Sequence, residues 1–186
     1  MLPTSLRCKA DRHVSPATIQ GSMSRQTDFI RNEFWILSWN ALVQRAVSYR
    51  RDSTEKEHSE FRHYMIDHCE RAVLPAYRSA LSEEEHITNI VSLCDAAQSY
   101  ADQSLLARPY NIGAAQKLLN LQLKYLWCVD LIPMPPHCPI DRIVLGHTRL
   151  RSCMNWTEIS EVAGYRYAIE AIRETAGDRP LARWST

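Results

Sequence analysis

Residues 115–127 read AQKLLNLQLKYLW, and their spacing decides the fold. On a helix turning about 100° per residue, Lys117 and Lys124 fall about 20° apart, with Asn120 and Leu121 on the same strip. Leu118, Leu119, Leu123, Tyr125, Leu126 and Trp127 cover most of the remaining circumference. A helix that is apolar nearly all round belongs in an interior. The lysine strip therefore faces something polar within the molecule: a cleft, a partner charge or a ligand. Either both lysines bury their stems and hold their ammonium groups in water, or one is desolvated and offers a neutral amine as a nucleophile.

Working outward, every other segment with a clear period is also helical. Apolar residues repeat at helical spacing over residues 28–49. A polar break, RRDSTEKEHSE, precedes a helix expected over 57–74, ending at Pro75. Ser82 followed by acids opens a helix running to about Arg108. PYNIG is a tight connector in which Asn111 and Gly113 are best able to take left-handed backbone angles. The apolar helix follows over 114–129, then short and long helices over 140–146 and 156–175. No stretch alternates like a strand, so the fold class is all-α. Residues 1–22 read as a flexible tail and 23–186 as a single helical domain, with the connector and apolar helix at about 105–130; Met23 is a second candidate start.

With 186 residues, 45% hydrophobic and 23% charged, the chain is long enough to bury a core. The net charge of +1 says little, but only Lys9, Lys56, Lys117 and Lys124 are lysines among 22 basic residues. The six cysteines form no CxxC pair, and no signal-like segment or apolar run of membrane length appears. The expectation is a cytoplasmic monomer with reduced thiols. His58, His63, His68 and Cys69 drift around one helix instead of keeping the register of paired ligands, so neither a metal nor a cofactor is expected.

The order of parts carries more than any one of them. A helix, the Gly-containing turn of NIGAAQK, a helix with a lysine in its first turn, and PIDRIVL about one helix later resemble the helix-hairpin-helix superfamily of DNA glycosylases, most closely the archaeal-type 8-oxoguanine glycosylases. The resemblance spans roughly residues 85–175. It implies a compact helix-hairpin-helix fold and excision of a modified base from double-stranded DNA, with AP lyase activity possible on the same lysine. Carried over, it makes Lys117 the nucleophile, Lys124 the second family lysine and Asp141 the catalytic carboxylate. Asn111 stands where the family's first hairpin glycine does, and the N-terminal half matches no base-recognition residues. The substrate stays open between oxidised guanine, a repair role, and a hypermodified phage base such as glucosylated hydroxymethylcytosine, an antiphage role.

That chemistry also assigns neighbours. Backbone N–H groups of Asn111, Ile112, Gly113 and Ala114 at a helix start can hold a DNA phosphate. Arg142, Arg149 and Arg151 lie in a stretch, 142–157, without an acid, and form a basic patch near the nucleoid's DNA. Trp35 and Trp39 are either core or stacking partners of a flipped base; Trp156 and Trp184 carry the same two readings. His137 is expected to line the cleft. Two rival readings remain: Arg62 and His68 loosely resemble the motif of HEPN ribonucleases, and a hairpin module can bind DNA without catalysis.

Overall fold

The computed structural model describes residues 16–184, apart from the side chains of 16–24 and of 102 and 103. Its helices are α1 (Pro16–Val43), α2 (Glu55–His68), α3 (Glu83–Leu105), α4 (Ile112–Cys128), α5 (Arg142–Gly146), α6 (Val162–Ala176) and α7 (Leu181–Trp184). A π turn (Cys69–Val73) and a 3-10 turn (Leu74–Arg78) extend α2, and a second 3-10 turn covers Trp156–Glu158. Among the described residues there is no strand, only an isolated bridge between Tyr49 and Leu106. The chain divides into two units, Met1–Glu33 and Phe34–Thr186. Of the tail expected over residues 1–22, residues 1–15 lie outside the described residues, and the backbone of α1 begins at Pro16.

Local chemistry sets the helix starts. Thr54 caps α2 and Ser82 caps α3, each in a reciprocal capping box with a glutamate three residues on, Glu57 and Glu85. Pro75 does not stop the chain where the sequence suggests. It sits in the first turn of the 3-10 segment, where its missing N–H leaves no bond unmade.

The second unit is built around α4, which packs on α3 and α6. Leu118, Leu119 and Leu123 are fully buried there, and so are the polar Gln116, Asn120 and Gln122. The all-round apolar character of the sequence thus marks a central helix. Among the described residues, no helix is long and apolar enough to cross a membrane.

The turn into α4 differs from expectation. Asn111 is extended, with φ of −133° and ψ of 174°, and caps α4 through its side chain. Gly113 lies inside the first helical turn, and its missing side chain answers a close approach: a Cβ there would collide with the carbonyl oxygen of Trp156. The same contact explains why the helix expected from Trp156 starts only at Val162. The Thr157 carbonyl accepts a hydrogen bond from Asn111 Nδ2 and the Ile159 carbonyl one from the Gly113 N–H, both at 2.8 Å. Carbonyls turned toward α4 cannot serve a helix of their own.

Candidate functional site

Lys117 sits in the second turn of α4, and Asp141 is the N-cap of α5. Between them the chain leaves α4, passes the prolines and returns along α4's flank. The return is fixed by Gln116. Its Oε1 accepts from the Ile140 N–H at 3.0 Å, and its Nε2 donates to the Ile140 carbonyl at 2.9 Å. One turn on, Asn120 Nδ2 donates to the Cys138 carbonyl at 3.2 Å. The residue before Lys117 thereby grips the residue before Asp141, which brings the two side chains together.

Lys117 Nζ donates to Asp141 Oδ2 at 2.9 Å. The other carboxylate oxygen, Oδ1, accepts from the Ile143 and Val144 N–H groups, both at 2.9 Å. Burial pushes the Asp141 carboxyl upward, but the hydrogen bond and charge of Lys117, with the two backbone donors, outweigh it. The net effect holds Asp141 below the usual carboxylate range, so it is ionised at neutral pH. Lys117 is only 6% exposed, and its ammonium lies 5.8 Å from the centre of the Trp156 ring, within cation–π range.

This pair opens on a cavity of about 240 Å³ lined by Arg45, Arg142, Ile143 and Trp156 along with Lys117 and Asp141. A second cavity, of about 580 Å³, shares Arg45, Arg142 and Trp156 with it and adds Arg151. The site therefore combines a shielded amine, an ionised carboxylate, an aromatic wall and arginines at the entrance. Among the described residues no group of three or more His, Cys, Asp or Glu could hold a metal ion.

Several expected participants are elsewhere. The α4 N-terminus is closed to a phosphate: Ile112, Gly113 and Ala114 are buried, the Ala114 N–H donates to Asn111 Oδ1 at 2.9 Å, and the Gly113 N–H is taken by Ile159. Arg149 is committed to Glu174 and to the Tyr167 hydroxyl. Trp35 and Trp39 are core, 4% and 5% exposed; Trp35 Nε1 donates to Glu70 at 2.8 Å and Trp39 meets Phe61 edge-on. His137 is buried against Tyr165 and His86. Lys124 is half-buried and lies near Cys138, two turns from Lys117, about 10 Å along the helix axis. Arg62 and His68 lie on α2, where His68 stacks on Tyr64.

Two participants escaped the sequence reading. Arg45 sits in the turn after α1, and no local pattern ties it to residues so far along the chain. Gln116 had a signal: it is four residues from Asn120 on an otherwise apolar helix, and a buried amide must find partners. Comparison with protein-family models, with curated proteins and with solved structures finds no match to this chain.

Proposed function

We propose that the protein is a DNA glycosylase that flips a modified base out of duplex DNA and breaks its bond to the sugar C1′, with Lys117 and Asp141 as the catalytic pair. The observation that carries this reading is the buried Lys117 amine, 2.9 Å from a carboxylate fixed at a helix start and opening on an arginine-flanked cavity.

The chemistry follows from the two charges. As the C1′–N bond breaks, its electron pair leaves on the base and positive character builds on the sugar. An ionised Asp141 beside C1′ stabilises that charge without reorganising. Lys117 Nζ forms the new bond to C1′, and the proton that the ammonium loses goes to the departing base. Opening of the sugar ring then gives a Schiff base. Loss of a C2′ proton and departure of the 3′ phosphate cut the strand by β-elimination. If water attacks in place of Lys117, base release persists without strand cleavage.

Trp156 supports the same reading, because an aromatic wall suits an extruded nucleotide. Oxidised guanine and a glucosylated phage cytosine are the two substrate classes to separate. The test is a panel of duplexes, each with one altered base and including modified phage DNA, assayed for abasic sites. Release of one base, lost in both Lys117→Ala and Asp141→Asn, is expected; release that both variants retain would contradict the assignment.

A further inference from the structure

We infer that the DNA strand is gripped by its phosphates in the cavity formed by Arg45, Arg142 and Arg151, and not at the N-terminus of α4. The identity of the strand rests on the glycosylase reading; the anion site itself rests on the arrangement of these arginines.

Two regions far apart in sequence, one at Arg45 and one at residues 142–151, supply the three guanidinium groups. Arg45 comes from the turn after α1, Arg142 from the first position of α5, and Arg151 from the turn that follows it. All three line the cavity of about 580 Å³, and all three are exposed at its edge. Several arginines elsewhere on the protein are engaged. Arg50, Arg71, Arg149, Arg166 and Arg173 each pair with a carboxylate. Among the described residues, Arg45, Arg142 and Arg151 have no such ion pair, and neither do Arg51, Arg62, Arg78 and Arg108; what sets the three apart is that they share one cavity. Like charges gathered in one cavity repel one another, and an anion that arrives among them relieves that repulsion.

The chemistry of the lining suits a phosphodiester. A guanidinium presents a planar fork of donors that matches two phosphate oxygens, and Ser152, Asn155 and Thr157 add neutral polar groups at the rim. The cavity's one acid is Glu158, whose Oε1 accepts from Asn155 Nδ2 at 3.1 Å.

Position supplies the last step. Arg45 and Arg142 also line the smaller cavity that contains Lys117 and Asp141. A nucleotide whose C1′ faces Lys117 has its own flanking phosphates as the nearest anions. The helix start that the sequence marks for this task has its Gly113 and Ala114 N–H groups bonded inside the protein, so the arginine cavity takes it over.

Binding of the full-length protein to a short duplex carrying a tetrahydrofuran abasic analogue, followed by fluorescence anisotropy, tests this. Arg45→Ala and Arg151→Ala are each expected to weaken binding about tenfold, as loss of a charge-assisted hydrogen bond does, and to lower the salt dependence by about one counterion. Arg149→Ala is expected to bind like wild type, and Glu158→Gln to bind more tightly. Thymidine monophosphate as competitor separates the sources of phosphate: displacement of the duplex at micromolar concentration would overturn strand binding in favour of a small ligand. Unchanged binding by Arg45→Ala and Arg151→Ala would overturn the site even if Lys117-dependent base release is found. Arginine-dependent binding with no base released from any duplex would instead leave the site standing and remove the glycosylase reading.

Discussion

Lys117 Nζ and Asp141 Oδ2, on residues 24 positions apart, meet at 2.9 Å because Gln116, the neighbour of one, is hydrogen-bonded at both ends of its amide to Ile140, the neighbour of the other. The pair is placed by a backbone clamp, not by a flexible reach of the lysine. Removing charge and removing the clamp should therefore give separable effects.

Asp141→Asn isolates the charge. Asparagine caps a helix as well as aspartate does, but with its one amide oxygen on the Ile143 and Val144 N–H groups its Nδ2 donor is turned toward Lys117. Stability is expected to fall by about 3 kcal/mol, because the buried ammonium loses both its counter-charge and its acceptor. Base release is expected to fall about 10²–10³-fold, as when one preorganised electrostatic group is removed. Asp141→Ala adds the loss of the cap, about 1 kcal/mol more. Urea unfolding and an abasic-site assay on the same preparations separate the two losses.

Gln116→Leu tests the clamp. It fills similar space but strands the N–H and carbonyl of Ile140 in the interior, at about 1–3 kcal/mol for each unsatisfied group. Catalytic turnover of the folded fraction is expected to drop while affinity for an abasic-analogue duplex holds, since the arginines are untouched. Gln116→Glu restores an acceptor for the Ile140 N–H and should recover part of the turnover. Equal losses in binding and turnover would mean that Gln116 only stabilises the fold.

Gly113→Ala sets two effects against each other. Alanine favours a helix interior by about 1 kcal/mol, but its Cβ collides with the Trp156 carbonyl oxygen, a backbone atom with little freedom to yield. Overpacking of this kind costs about 1–3 kcal/mol or more, so a melting temperature lower by several degrees is expected. An unchanged or higher melting temperature would show that the 156–159 segment is not held against α4.

How much of this was legible beforehand differs from residue to residue. The 3.6-residue period gave α4 and the all-helical class, because burial on every side leaves a compositional trace. Ser82 announced α3, because capping is a local bond. The end of α2 at His68, with π and 3-10 turns carrying the chain past Pro75, and the late start of α6 were not legible, because each depends on contacts outside its own segment. In the site, Lys117 stood out as a charge on an apolar helix, and Asp141 entered through the resemblance of NIGAAQK and PIDRIVL to the glycosylase order of parts. The closed α4 N-terminus did not, because the carbonyls that fill it come from residues 157–159, more than forty positions away.

Acid should destabilise the second unit through its histidines. His86 and His137 are buried, and burial is the main force that lowers each from 6.5 to about 3; the His137 charge adds to the effect on His86, and Arg173 and Arg166 add to the effect on His137. Folded-state values below the unfolded ones mean that the unfolded chain takes up protons first as pH falls. Stability is thus intact above about pH 6.5 and declines toward pH 3, by up to about 1.4 kcal/mol per pH unit for each histidine. Asp141 adds a loss only at lower pH, beneath the ordinary carboxylate value. Urea midpoints at pH 7.5, 6.5 and 5.5 should be level across the first pair and fall at the third; a flat series would contradict neutral burial of both rings.

The catalytic role proposed for the Lys117 amine is tested most directly by borohydride trapping on duplexes that hold candidate modified bases. Wild-type protein is expected to form a covalent protein–DNA adduct with one of them, and Lys117→Ala to form none while Lys124→Ala still does. An adduct that survives in Lys117→Ala, or base release that both Lys117→Ala and Asp141→Asn retain in full, would contradict the assignment of this pair.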